Sequence, residues 1–315
     1  MDPMRFFTTA RVLIVAGKGG VGKTTVAAAL ATAAARNGAT TLLVEIDGKT
    51  QLSDLFGGDE LTYDDLAIEL PDTPSGRLTA KRITPDKALG DYLEGRGLYR
   101  ALRRLHGDKV LDTLASATPG VKDLLVLGKI KQLERAGRYD LIVVDAPASG
   151  HAITFLRAAE GVLDSVEAGP IREQAIEVGQ MLDDPERCQV LLVTLAEETP
   201  VTELIDTAYR VEDEVGVKLG PLVVNALPAR PPEVPTADEL GGVDSDLGDA
   251  LRGAVTFRRA RAALQAEQLE RLDIELPLPR LHLPAIETTP FGPAELDQLT
   301  DEMMIAIEAM PSADA

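Results

Sequence analysis

The chain has 315 residues, 45% of them hydrophobic, with 32 Lys and Arg against 51 Asp and Glu, a formal net charge of −19. That length can bury one large core or two small ones, and a field of that sign repels nucleic acid and anionic lipid, which disfavours a DNA-partition role; no stable membrane insertion is expected, because no apolar run is long enough to span. A single cysteine, Cys188, excludes an internal disulfide framework, a cysteine-built zinc site within one chain and a three-thiolate metalloid site; with no run near ~20 apolar residues and a polar start at Met1-Asp2-Pro3, a cytoplasmic setting is expected.

The first element in chain order is an apolar run, Val12-Leu13-Ile14-Val15-Ala16, which predicts a buried strand. It feeds Gly17-Lys18-Gly19-Gly20-Val21-Gly22-Lys23-Thr24-Thr25, and an alanine-rich helix from Val26 to Arg36 follows. This is a phosphate-binding loop, G-x-x-x-x-G-K-[ST], in the strand–turn–helix context the motif requires. Glycines let the backbone wrap a phosphate without a Cβ in the way. The turn's N–H groups and the helix N-terminus supply positive partial charge. In such a loop Lys23 reaches the β- and γ-phosphates and the Thr24 hydroxyl binds Mg²⁺. ATP or ADP with Mg²⁺ is the expected ligand.

A second strand, Thr41 to Ile46, ends at Asp47, where a carboxylate can orient water or a metal-bound water. Between Pro85 and Arg135, Leu89, Tyr92, Leu93 and Leu102 recur at roughly helical spacing. We read a helical subdomain inserted over the nucleotide face; ordinary crossover helices packed on the sheet explain the same pattern. Further strands follow at Tyr139–Val144, ending at Asp145, at Val190–Leu195, and at Gly220–Val224, ending at Asn225. Residues 228–250, rich in Pro, Gly and Asp, read as an exposed, mobile acidic loop. A charged helix from Leu251 to Arg271 precedes a last short strand, Leu272–Leu276. Strand and helix alternate, which predicts an α/β fold: a doubly wound, mostly parallel sheet with helices on both faces, one domain over residues 1–315. Ligands bind such sheets at the carboxyl ends of the strands.

The loop also carries a lysine directly after its first glycine. K-G-G-V-G-K-T-T resembles the deviant loop of the arsenite-pump, tail-anchored-protein targeting, partition and nitrogenase iron-protein ATPases. In that class the extra lysine, here Lys18, reaches across a dimer to the partner's nucleotide. The stretch from Asp47 to Phe56 resembles the first switch of the arsenite-pump and targeting ATPases, whose matching Asp is the catalytic carboxylate; Gly48 stands where that family usually has Pro. Asp145-Ala146-Pro147-Ala148-Ser149-Gly150-His151 resembles the second switch, D-T-A-P-[TS]-G-H, with Pro one place earlier. There Asp145 would hold Mg²⁺ through water and the Gly150 N–H would sense the γ-phosphate. Val223-Val224-Asn225 is similar to the family's adenine-reading strand end, and Leu276-Pro277-Leu278-Pro279-Arg280 to the loop that packs on the adenine.

The resemblance runs from about Arg11 to Pro284 and is nearest the actinobacterial ArsA-like paralogues. It implies a Mg-dependent ATPase cycling as a homodimer, or as a heterodimer with a paralogous ATPase, with a protein client on the helical subdomain. The alternative is a partition or positioning ATPase acting as a nucleotide-switched scaffold. That role predicts a basic surface or a basic C-terminal helix, yet Glu295 to Met310 contains no Lys or Arg. An iron–sulfur reductase needs two cysteines per chain, and a small-molecule kinase has no use for Lys18.

Overall fold

The computed structural model describes the chain except for residues 47–50, 72, 74–76, 98–119, 148, 229–245, 287, 289 and 312–315. Its centre is an eight-stranded sheet in the order β3-β4-β2-β5-β1-β6-β7-β8. The strands are β1 (Val12–Gly17), β2 (Thr41–Ile46), β3 (Leu66–Ile68), β4 (Leu78–Ile83), β5 (Leu141–Asp145), β6 (Cys188–Leu195), β7 (Leu222–Leu227) and β8 (Arg280–Pro284). All neighbours pair in parallel except β3, which runs antiparallel to β4 at one edge. The doubly wound α/β fold expected from the alternation is therefore what the chain forms.

The inner strands are apolar without alternation because helices cover both faces of the sheet. On one face lie α1 (Pro3–Phe7), α2 (Lys23–Arg36), α3 (Gln51–Phe56) and α11 (Pro293–Ala309), packed on Leu13, Val15, Leu43, Val143 and Val193. On the other lie α4 (Pro85–Gly95), α5 (Val121–Arg135), α6 (Ser149–Leu156), α7 (Ala158–Ser165), α8 (Pro170–Leu182), α9 (Glu198–Arg210) and the carboxyl part of α10 (Asp246–Glu275), packed on Val12, Ile14, Leu42, Val44 and Val144. The alanines of α2 are buried all round. Small side chains let this helix lie close between the sheet and α11, and Ala also has the best helix propensity.

The described parts of the 85–135 region, α4 and α5, share the sheet's own core: Leu89, Leu93, Leu124, Leu125 and Ile130 pack with the strand residues just named. Residues 98–119, which carry the middle of the expected subdomain, lie outside the described residues, as does most of the acidic loop at 228–250.

Two expectations need correction. The last strand is not Leu272–Leu276. Residues 272–275 finish α10, the Leu276 N–H still donates to the Leu272 carbonyl at 3.1 Å, and the strand that closes the sheet is Arg280–Pro284. Asn225 does not end a strand either: β7 continues to Leu227 through a register shift against β8, with Ala226 in the left-handed region at φ 53°.

Candidate functional site

The loop expected to bind phosphate leaves the carboxyl end of β1, at the middle of the sheet. Gly17 leans on β6 so closely that a Cβ there would stand 2.3 Å from the Val193 carbonyl oxygen. That contact, between two backbones, is why the turn can start only from glycine. Gly20 and Gly22 follow with φ of 87° and 89°, the left-handed conformation that side chains resist, and around Gly19 and Gly20 a Cβ would meet nothing. Backbone curvature and open space together make a cradle. The carbonyl of Gly22 then accepts from the Val26 N–H at 2.9 Å, and α2 begins.

Two lysines of this loop are held differently. Lys23 opens α2 and is only 5% exposed; its Nζ donates to the Lys18 carbonyl at 3.0 Å, inside the turn. Lys18 lies outside. Its Nζ donates to Glu203 Oε1 of α9 at 2.6 Å, and the two side chains are 33% and 43% exposed. Beside them a cleft of about 500 Å³ opens between loop residues 18–21 and the junction of β6 with α9, at Leu195, Glu197 and Pro200.

Thr24 and Asp145 meet, as their motif positions imply. The Thr24 hydroxyl donates to Asp145 Oδ2 at 2.7 Å, with both residues buried. Strand pairing explains it: β5 lies next to β1, Val15 is in register with Asp145, and Asp145 ends its strand where α2 starts. Both groups offer hard oxygens, which suit a Mg²⁺ that takes one or two protein ligands and fills the rest of its shell with phosphate and water. Among the described residues no group of three or more His, Cys, Asp or Glu could hold a metal, so a self-contained protein cage is absent there.

Thr25 follows half-buried on the first turn of α2, and Val21 is buried under the loop. Gly150 and His151 sit exposed in the first turn of α6, directly after the Asp145 turn. Across from them, on α5, burial raises the Asp123 carboxyl above the usual range, and His151 partly offsets this. Asn225 reaches the loop from β7: its Nδ2 donates to the Val21 carbonyl at 2.9 Å, and a Cβ on Gly22 would come within 2.4 Å of that nitrogen. Asp47 lies outside the described residues; β2 is described up to Ile46 at the same rim.

Pro277, Leu278 and Pro279 are not brought to this rim. They precede β8, and the Pro279 carbonyl accepts from the N–H of Leu222, the first residue of β7. Gly17, Val193, Val223 and Leu281 lie in one register row, so Leu278 sits three residues, about 10 Å, toward the amino ends. Leu278 packs in the helical core instead. The turn at the carboxyl end of β8 is Pro284-Ala285-Ile286, with Ala285 N–H donating to the Leu227 carbonyl at 2.6 Å. A cavity of about 860 Å³ opens there, lined by Ala226, Ile286 and, from α10, Phe257 and Arg261.

One rim residue escaped the sequence reading. Glu45 stands in register between Asp145 of β5 and Arg82 of β4, is 1% exposed, and accepts from Arg82 Nε at 2.6 Å. The available signal was a charge inside an apolar strand, Thr-Leu-Leu-Val-Glu-Ile.

Comparison with known proteins agrees with the geometry. The profile of the family described as anion-transporting ATPase matches residues 10–168. A Mycobacterium tuberculosis protein named ATPase BagA is 33% identical over 305 residues, covering 88% of this chain and 87% of its own. ATPase GET3B of Arabidopsis thaliana is 26% identical over 317 residues, covering 82% and 76%. ATPase GET3 of Phaeosphaeria nodorum is 31% identical over 160 residues, covering 50% and 48%.

Proposed function

The chain belongs to the anion-transporting ATPase family and is an ATP hydrolase, and from that premise we propose that it works as half of a nucleotide-switched dimer, with itself or with a paralogous chain. The observation that carries the reading is the division of labour between two lysines five residues apart. Lys23 is buried in the turn, where its charge would meet the β- and γ-phosphates of its own nucleotide. Lys18 lies on the outer side, held by a half-exposed partner, where it is placed to serve a nucleotide on another subunit.

Mg²⁺, when bound, would neutralise phosphate charge, with Thr24 and Asp145 as the residues that hold it. The remaining work falls to this chain's own groups. Loop amides from Gly19 to Thr25 cradle the phosphates. Lys23 stabilises charge that builds as the γ-phosphoryl group leaves. Asp47 orients the attacking water, and Asp145 is the next candidate for that task. Gly150, in the first turn of α6, senses the γ-phosphate. Asn225, late in β7, and the Pro284-Ala285-Ile286 turn, at the carboxyl end of β8, flank the base. The cycle is proposed to drive a protein client through the helices of the 85–135 region, in the cytoplasm. No helix among the described residues is long and apolar enough to cross a membrane.

Calorimetry with Mg·ADP tests the site. Lys23→Ala should lose measurable binding, and unchanged affinity would overturn the assignment. The dimer is tested by turnover per chain against protein concentration, alone and with a co-purifying paralogue. A rate per chain independent of concentration, with light scattering giving a monomer throughout, would refute it.

A further inference from the structure

Glu45 is a charged residue in the most buried layer of the sheet, and no role assigned so far accounts for it. Alternation along β2 sets its direction. Leu42 and Val44 face the α5 side, whereas Leu43 faces α2, so Glu45 also faces α2. On β5, Leu141 and Val143 face α2, and so does Asp145, which meets Thr24 of that helix. Glu45 and Asp145 are register partners on adjacent parallel strands. Two buried carboxylates are therefore side by side on one face, about 5 Å apart at the backbone.

Like charges at that spacing oppose each other strongly in a low dielectric unless a cation lies with them. Arg82 is part of the answer for Glu45, since its Nε donates to Oε2. Yet Arg82 is shared: its other branch donates to the exposed Glu60 at 2.8 Å. The second oxygen of Glu45, Oε1, is buried and accepts no hydrogen bond among the described residues. A buried carboxylate oxygen left in this condition costs more than a neutral acceptor would. It is retained beside Thr24 and Asp145, the residues best suited to hold Mg²⁺.

We infer that Glu45 is a positioning residue of the divalent-cation centre: Oε1 accepts a hydrogen bond from a water in the cation's shell, while Arg82 clamps Oε2. The cation then offsets the charge that Arg82 leaves uncompensated. Groups at this remove from a metal orient its shell and commonly change its affinity by 10–100-fold when lost. The inference rests on the reading of the loop as a metal–nucleotide site.

The test is Mn²⁺ binding in the presence of saturating ADP, read from the electron paramagnetic resonance signal of free Mn²⁺. ADP affinity in EDTA is measured alongside by calorimetry. Glu45→Gln keeps the shape and removes the charge; Mn²⁺ affinity should fall at least tenfold while ADP affinity in EDTA stays within twofold. Glu60→Gln, which touches only the outer branch of Arg82, should change neither. If Glu45→Gln does not fold, Glu45→Asp decides: it keeps the charge for Arg82 but draws the carboxylate back by one methylene, and it should weaken Mn²⁺ several-fold. Unchanged Mn²⁺ affinity in the folded variant overturns the role, as does an equal loss of ADP affinity in EDTA. A wild-type protein that binds no Mn²⁺ with ADP would instead overturn the reading of the site itself.

Discussion

In the proposed dimer Lys18 could serve a nucleotide on the other subunit only after leaving Glu203, so the strength of that ion pair should appear in turnover. The contact is 2.6 Å, but both side chains are more than 30% exposed. Bare Coulomb attraction in bulk water at that distance is about 1.5 kcal/mol. Side-chain ordering and salt screening leave roughly 0.2–1 kcal/mol for such exposed pairs. Glu203→Gln removes the charge and keeps the shape, so the population of released Lys18 should rise by about 1.4- to 5-fold. If the chain works as the proposed dimer, steady-state ATPase activity below its dimerisation midpoint should rise by up to the same factor. The gain should shrink in 0.5 M salt, where the Debye length is only a few ångströms. The decisive comparison is a double-mutant cycle. In a Lys18→Ala background, which should itself be slow, Glu203→Gln should change nothing. A gain of equal size in that background would show that Glu203 acts on something other than Lys18. A slower Glu203→Gln single variant would refute the reasoning outright.

Other expectations follow from single positions. Gly17→Ala should destabilise by about 2–4 kcal/mol, because the new Cβ meets the Val193 carbonyl at 2.3 Å and neither backbone can yield without parting β1 from β6; an unchanged urea midpoint would contradict the close approach. Asp145→Asn should weaken Mn²⁺–ADP binding while leaving ADP affinity in EDTA near the parent's, measured by calorimetry. Cys188 is fully buried, and burial pushes its thiol up to about 12 from an ordinary 9.0. The native thiol should therefore react with maleimide at pH 8 only at the rate of unfolding. Its preference for the protonated form supports the fold fully below pH 9 and is lost as pH rises toward 12, so stability between pH 6 and 8 should not depend on it. Antimonite should leave ATPase activity unchanged in both the parent and Cys188→Ser, since one buried thiol cannot supply the soft ligands such ions need; several-fold stimulation that vanished in the variant would refute this.

What the sequence disclosed depended on where each residue's partners lie. β1, β2, β5 and β6 are buried on both faces, so their apolar runs speak for themselves. β4 reads Leu-Thr-Ala-Lys-Arg-Ile and has no apolar run to mark it. Its two cations are tolerated because Asp65, in the chain just before β3, takes Lys81 at 2.7 Å, and Glu45 and Glu60 take Arg82. Those partners are 16 to 37 residues away and leave no local mark. The three-residue β3 exists only as the antiparallel edge of that strand. Leu272-Asp273-Ile274-Glu275-Leu276 misled in the opposite way. It alternates like a strand, but Leu272 and Leu276 are also i and i+4 on one helix face, and both are buried while Ile274 is 74% exposed. Pro277–Pro279, matched to the adenine loop by resemblance, consequently lie before β8 and not after it. The loop motif and Asp145 needed no such inference, because the motif spacing specifies backbone geometry directly and parallel pairing brings Thr24 to Asp145.

Net charge and local charge have to be reconciled at this rim. A chain of −19 must attract an anionic nucleotide, yet the rim carries Glu45, Asp145, Glu197 and Glu203 as well as its two lysines. Three of these carboxylates already have cation partners. Glu203 is spent on Lys18, Glu197 on Arg261 of α10 at 3.1 Å, and Glu45 partly on Arg82. Each pair joins the rim to a different element: α9, α10 and β4. A nucleotide with its metal would compete for the same cations and carboxylates, so binding would loosen or tighten those joints together. Only contacts that differ between two states can shift an equilibrium between them. The exposed pairs to α9 and α10 are weak enough to exchange, whereas the buried pair to β4 is not. On that argument a bound nucleotide would change the protein on the side of the site toward Lys18, with the side toward Glu45 as the fixed frame.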